Sequence, residues 1–293
     1  MSIWTNRNWQ PMLLKEIDKP FDSKEYLFEI KYDGIRACIF VSNNTFEIKT
    51  RNNHTITHLF PELIKIKKLI KKDTIIDGEI IIMGKNGPSF KEVSKRMHLK
   101  NRKTIEFESI NNPVIFVGFD ILYQNKELTN LNILERKKIL DKIKENDVFI
   151  KSKIYLYDGI KLFNTIKKHN LEGIVAKKID SDYQINTRSN NWIKIKNNKE
   201  EIFIVGGYIN KKNNYISVLL GEIKNNKLYY VGNASMTKKN KNYNKIINSK
   251  ISKNAFINYN KDANYINTRI KCKVKYLERT DNNHLRQPII KDV

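Results

Sequence analysis

Apolar residues fall into short runs whose spacing switches between two periods along the chain. Residues 26–31 (YLFEIK), 36–41 (RACIFV), 74–83 (TIIDGEIIIM), 113–122 (PVIFVGFDIL) and 172–178 (EGIVAKK) are short and rich in β-branched and aromatic side chains. They predict strands. Three stretches between them follow a helical period. Residues 61–72 (PELIKIKKLIKK) set Leu63, Ile66, Leu69 and Ile70 on one face, with Pro61 suited to a first turn. Residues 130–146 (NLNILERKKILDKIKEN) bring Ile133, Leu140 and Ile143 near one stripe. Residues 158–170 (DGIKLFNTIKKHN) offer Asp158 as an N-cap and Asn170 as the closing residue. This order predicts an α+β domain of antiparallel sheets and helices, not a doubly wound sheet.

The pattern changes after Lys196. Residues 197–200 (NNKE) read as a linker. Residues 201–209, 215–223, 227–235 and 268–279 then read as strands. A small barrel of about five strands, of the OB-fold kind, is expected there. The expected domains are 1–198 and 199–293. Residues 238–250 (KKNKNYNKIINSK) read as an exposed connection or a polar helix, and no internal repeat is visible.

Charge sharpens this outline. Lys and Arg total 55 against 31 Asp and Glu, a net charge of +24 in 293 residues. Such an excess favours polyanions, nucleic acid first and anionic membrane second. Lys, Asn and Ile are all abundant, so part of the lysine excess is read as solvated surface. No apolar run approaches the ~20 residues that span a bilayer. The N-terminus has no basic start followed by an apolar stretch, so no signal peptide and no membrane partner are expected. Cys38 and Cys272 lie far apart in sequence, which fits a reducing, cytoplasmic setting. The five histidines and the cysteines show no zinc spacing.

The chemistry concentrates in residues 27–40, LFEIKYDGIRACIF. A strand ends on Lys31, with Asp33, Gly34 and Arg36 behind it. A lysine is a nucleophile only when neutral, and lowering its pKa by about 3 units takes roughly 4 kcal/mol. A bound metal, Arg36 and other lysines are expected to supply part of that. Gly34 permits a tight turn. Alone, the motif also reads as an exposed lysine paired with Asp33. Context adds three more charged strand ends: Asp77-Gly78-Glu79, Glu172-Gly173, and Lys194 with Lys196, which share one face of a strand. Their convergence would make a cleft where carboxylates hold Mg²⁺ and lysines offset phosphate charge.

Taken together, Lys31-Tyr-Asp-Gly-Ile-Arg36, Asp77-Gly-Glu79, Phe119-Asp-Ile-Leu122, Glu172-Gly-Ile-Val-Ala-Lys177 and Trp192-Ile-Lys-Ile-Lys196 resemble, in order, the motifs of ATP-dependent DNA ligases. These belong to the covalent nucleotidyltransferases, whose catalytic domain is described as ATP-grasp-like. Residues 10–14 (QPMLL), 51–63 (RNNHTITHLFPEL), 203–208 (FIVGGY) and 277–288 (LERTDNNHLRQP) are similar to compact bacterial and viral members. The resemblance covers nearly the whole chain.

It implies that Lys31 attacks the α-phosphorus of ATP and carries AMP, with Asp33, Lys194 and Lys196 in the catalytic set. The AMP then passes to a 5′-phosphate at a nick in duplex DNA, and the 3′-hydroxyl displaces it. By the same likeness Glu29 helps recognise adenine and Phe119 stacks on it. Arg36 and Glu79 address the ribose and AMP phosphate. Glu79 and Glu172 face Mg²⁺ or Mn²⁺, Arg188, Lys194 and Lys196 offset the phosphate charge of pyrophosphate, and Arg286 assists its departure. Arg51 grips the nick's 5′-phosphate. Asn53 and Asn186 stand where the family often has glycine, and asparagine tolerates positive φ. ATP and nicked DNA are the expected partners of a monomer. An RNA ligase or capping-type nucleotidyltransferase shares the lysine chemistry and stands as the alternative. A non-catalytic basic DNA-binding module is the third reading.

Overall fold

The structure is a computed structural model and describes residues 2–85, 87–213, 215–267 and 270–293. The chain forms two compact units, Met1–Asn197 and Asn198–Val293. In the first, β1 (Leu13–Ile17), β2 (Tyr26–Lys31), β3 (Ile35–Val41), β4 (Phe46–Thr50) and β5 (Thr74–Ile81) precede the hairpin of β6 (Met83–Gly84) and β7 (Gly87–Pro88). Helices α1 (Phe90–Met97) and α2 (Arg102–Asn111), β8 (Ile115–Gln124), α3 (Ile133–Leu140), β9 (Phe149–Lys151), β10 (Ile154–Leu156), α4 (Gly159–Lys168), β11 (Gly173–Lys178) and β12 (Arg188–Lys196) follow.

Two five-stranded sheets organise this unit, in the orders β1-β12-β11-β2-β10 and β4-β3-β5-β8-β9. The pairings β1–β12 and β8–β9 are parallel, so the sheets are mixed rather than wholly antiparallel. Partners that distant in sequence are not bound by a hairpin's direction. In the first sheet, period-two alternation separates chemistry from core. Phe28, Ile174, Ala176 and Ile195 point to one face and pack with Leu162 and Ile166 of α4. Leu27, Glu29, Lys31, Lys177 and Lys194 take the other face. Fully burying each large apolar side chain contributes about 1.5–3 kcal/mol, so the α4 face fixes the register that aims the charged face.

Two local expectations change. Residues Pro61–Leu69 form a 3-10 helix, not an α-helix. Leu63, Ile66 and Leu69 recur every three residues, the 3-10 repeat, and buried Glu62 bonds Arg96 and the Val114 amide. Asp158 occupies the N-cap position of α4 but its side chain makes no capping bond. Asp22 from a preceding loop accepts from the Ile160 amide instead, at 2.9 Å.

The second unit holds β13 (Lys199–Lys211), β14 (Tyr215–Lys224), β15 (Lys227–Thr237), α5 (Tyr243–Ile247), β16 (Asn264–Tyr265), β17 (Lys271–Tyr276) and β18 (Ile289–Asp292). They form one antiparallel sheet in the order β15-β14-β13-β17-β18, with β16 also on β13. The linker shrinks to two residues, because Lys199 and Glu200 already pair with β17. Asn225 and Asn226, both at positive φ (49° and 57°), turn β14 into β15 as a tight hairpin requires. The Leu285 amide, between β17 and β18, donates to the Val231 carbonyl of β15 at 2.7 Å. Thr268 and Arg269, the start of the strand expected over 268–279, lie outside the described residues. Among the described residues no helix is long and apolar enough to cross a membrane.

Candidate active site

The charged face of the first sheet is built row by row. Register places Lys31 opposite Gly173, and Gly173 opposite Lys196. The next row is Glu29, Val175 and Lys194, and the next is Leu27, Lys177 and Trp192. Gly173 stands between two lysines at φ 155°, and a Cβ there would lie 2.2 Å from the Ile195 carbonyl oxygen. Glycine is what allows three strands to close beside Lys31. Gly34 is equally constrained, since its Cβ would meet the Ile80 oxygen at 2.3 Å.

The second sheet supplies the facing wall. Arg36 pairs in register with Glu79. Phe119 is the extra residue of a bulge, because Asp77 pairs with Asp120 while Gly78 pairs with Gly118. The bulge frees its ring from the sheet's alternation. Glu29, Lys31, Tyr32, Arg36, Glu79 and Phe119 line one cavity, with Lys177 and Trp192 behind them. A larger open hollow of about 420 Å³, among Asn130, Glu135 and Asp182, contains none of these motifs.

Electrostatics distinguish the groups in the cavity. Lys31 Nζ donates to Glu172 Oε2 at 2.8 Å. Burial acts to lower its pKa, but Glu172, Glu79 and Asp33 together outweigh burial and raise it. Without ligand Lys31 is therefore an ammonium, contrary to the expectation that neighbouring cations hold it neutral. Acidic groups, not basic ones, are its nearest partners. Glu79 is pushed up to about 8 by burial, with Glu172 and Asp77 adding to the shift against Lys31 and Arg36.

Arg36 is held differently. Its Nε and Nη2 donate to Asp77 at 3.1 and 2.7 Å, and its Nη1 to the Met12 carbonyl at 2.7 Å. The Tyr183 hydroxyl donates to Asp77 at 2.7 Å and accepts from the Met12 amide at 3.2 Å. Phe119 lies under two cations, Lys177 Nζ at 4.5 Å and the Arg36 guanidinium at 5.4 Å from its centroid. Burial lowers Lys177 to about 8, although Glu29 pulls the other way.

Of the residues singled out by sequence, Glu29, Lys31, Arg36, Glu79 and Phe119 share the cavity, and Glu172 is bonded to Lys31. Asp33 lies in the turn within electrostatic reach of Lys31 and Glu172. Lys194 and Lys196 share an ion partner, Glu16, at 3.2 and 3.5 Å. Arg188 is outside the lining; it is exposed and donates to the Leu14 carbonyl at 2.5 Å, because it starts β12 at the end away from Lys196. Arg51 is exposed on the turn after β4. Arg286 is in the second unit, paired with Glu278 at 2.9 Å. Asn53 and Asn186 do take positive φ, 64° and 58°. Sequence reasoning missed Tyr183, Lys137 and the holding role of Asp77. The signal for Asp77 was a carboxylate inside the apolar run 74–82.

The donor set fits a hard divalent cation. Among the described residues no three His, Cys, Asp or Glu side chains form a metal cage. Two carboxylates, Glu79 and Glu172, face the cavity's lysine. Mg²⁺ commonly binds through one or two carboxylates and takes the rest from phosphate and water.

The family described as ATP dependent DNA ligase domain matches residues 11–196. The SPbeta prophage-derived DNA ligase-like protein LigB of Bacillus subtilis is 35% identical over 205 residues, covering 69% of this chain and 72% of that protein. A probable DNA ligase of Dictyoglomus turgidum is 34% identical over 176 residues, or 57% of this chain, but the match spans only 30% of that protein. The fold matches a solved mycobacterial DNA ligase D complexed with ATP and MES at a TM-score of 0.60 and 22% identity, over 98% of this chain and 95% of that one. With the family's match over more than half its length and a cavity assembled from the motifs in that span, this chain belongs to the ATP-dependent DNA ligases.

Proposed function

We propose that Lys31 is the adenylylated residue of this ligase. Its amine attacks the α-phosphorus of ATP, the bond to the bridging oxygen breaks, and pyrophosphate leaves. The new P–N bond holds AMP on Lys31. The AMP then moves to a nick's 5′-phosphate, and the 3′-hydroxyl attacks that phosphate and expels AMP. The adenylate turns a poor leaving group into a good one and divides one hard substitution into easier steps.

The observation that carries this reading is the register row Lys31–Gly173–Lys196, with Glu172 hydrogen-bonded to Lys31 and Glu79 lining the cavity beside it. Lys31 must lose a proton to solvent before it attacks, and its hydrogen bond to Glu172 is what holds that proton until the carboxylate is drawn away. Glu79 and Glu172 are the side chains that would hold Mg²⁺. When bound, the ion would offset phosphate charge and withdraw the anionic partners that keep Lys31 protonated. Phe119 offers a flat face to adenine, and Glu29 beside Lys177 offers an acceptor beside a donor. Arg36, held by Asp77, Met12 and Tyr183, is assigned to the ribose and AMP phosphate region through the positive charge it keeps on the cavity wall. Lys194 and Lys196 are assigned to the charge of the departing pyrophosphate, and Arg51 to the nick's 5′-phosphate. The second unit is read as an OB-fold.

The test is incubation with α-labelled ATP and Mg²⁺, followed by nick sealing. Wild type should form an acid-labile, base-stable adduct and seal nicked duplex DNA in preference to nicked RNA. Lys31→Ala should do neither while remaining folded. Label retained by Lys31→Ala would sink the assignment.

A further inference from the structure

At the inner wall of the cavity, three ionisable side chains from three elements meet, and two of them line it. Glu29 on β2 is 2% exposed. Its Oε1 faces the ammonium of Lys137 on α3, and its Oε2 that of Lys177 on β11 at 2.7 Å. The two lysines are 4% and 1% exposed. One ammonium suffices to balance one carboxylate. Asp120, a further acid that acts on Lys177, is already matched by Arg136 through two hydrogen bonds. One buried cation is therefore surplus, and burying an unmatched charge costs several kcal/mol. Stability alone gives no reason for the second lysine.

The two lysines differ in what they reach. Lys177 lines the cavity, and its ammonium also donates to the Phe119 carbonyl at 3.2 Å. Lys137 is absent from the lining and reaches the cavity through Glu29.

We propose that Lys137 is a positioning residue for nucleobase selection, clamping Glu29 so that its carboxylate meets the purine 6-substituent only as an acceptor. The proposal rests on the reading of Lys31 as the adenylylated residue and of Glu29 as the group facing the base. With one ammonium on each oxygen, the plane of the carboxylate is fixed. A 6-amino group donates to such an acceptor. A 6-oxo group, as in hypoxanthine, sets its own lone pairs against an anion that has no room to turn away. Without Lys137, Glu29 and Lys177 remain as an electrically matched pair, so the fold survives. The carboxylate then turns onto Lys177 and no longer opposes a 6-oxo purine.

The experiment compares ATP with inosine triphosphate in single-turnover labelling of Lys31, for wild type, Lys137→Met and Lys137→Arg. Wild type should favour ATP. Lys137→Met should cut the ATP-to-inosine ratio about tenfold or more, the scale of one charged hydrogen bond. Lys137→Arg, which keeps a cation on Oε1, should retain most of the preference. A Lys137→Met ratio within about twofold of wild type, however slow both reactions become, overturns the proposal. A wild type indifferent to the two nucleotides overturns it as well. Should Lys137→Met not fold, Lys137→Gln is judged by the same ratio. A wild type that forms no adduct with ATP removes the underlying reading. An adduct with an unchanged Lys137→Met ratio removes this proposal alone.

Discussion

Arg136 with Asp120, buried, and Lys31 with Glu172 and Glu79, half-buried, are two sets of charge in the same unit, built in opposite ways. The first is closed. Both side chains are fully buried, and the guanidinium fork binds the carboxylate through Nε at 2.8 Å and Nη2 at 3.0 Å. The third nitrogen donates to the Leu131 and Ser181 carbonyls. Nothing is left for a ligand to use. The second set is open. One hydrogen bond joins Lys31 to Glu172, and Glu79 is pushed up to about 8 by burial beside other acids. A closed pair gives the fold its shape, and an open set waits for a partner that completes it.

The largest effect should come from breaking the closed pair. Arg136→Met leaves Asp120 buried and uncompensated, which should cost about 3–5 kcal/mol of stability. Denaturant unfolding checks this. The folded fraction should still label Lys31 with AMP. If Arg136→Met instead melts like wild type, the distinction between closed and open charge fails at its strongest point.

Glu79→Gln sharpens the contrast from the other side. The amide removes a carboxyl whose ionisation burial opposes, so the melting temperature should hold or rise. Adduct formation should fall by roughly a hundredfold, the scale expected when one electrostatic stabiliser of a transition state is lost. A thermal melt and a labelling time course on the same sample separate the two. A marked drop in melting temperature with normal labelling would make Glu79 an ordinary scaffold charge.

The same contrast explains what the sequence made legible. Strands β2, β3, β5, β8 and β11 stood out because their patterned apolar runs are long enough to read. β1 did not, because residues 13–17 become a strand only by parallel pairing with β12, some 175 residues away. No local pattern encodes that pairing. The site motifs were visible because their residue types are unusual at strand ends. The supporting charges were hidden among ordinary-looking ones. Ile133, Arg136, Lys137 and Leu140 occupy i, i+3, i+4 and i+7, the buried stripe of α3. Two charges on an apolar stripe were the signal, yet "ERKK" reads as solvated surface until the stripe is drawn. Arg96 follows Val93 on α1 in the same way.

The smallest effect tests whether the base-reading cluster belongs with the open set. Lys177 is lowered to about 8 in the folded protein, first by burial, against 10.5 for a free lysine. Between those values the unfolded chain binds a proton that the folded protein does not. Raising the pH through this window therefore favours the folded state. The destabilising contribution of Lys177 is fully present below about pH 8 and is relieved as pH climbs toward 10.5. Other groups push the opposite way at high pH, because burial raises the Cys38 thiol and the Tyr183 hydroxyl. The useful quantity is the difference between wild type and Lys177→Met, in which those contributions cancel. From pH 7 to 9 wild type should gain about 1 kcal/mol relative to the variant. Parallel unfolding curves for both proteins measure it. A difference that stays flat would mean Lys177 keeps its proton as firmly as a closed pair does, and the Lys137–Glu29–Lys177 cluster would then belong to the scaffold.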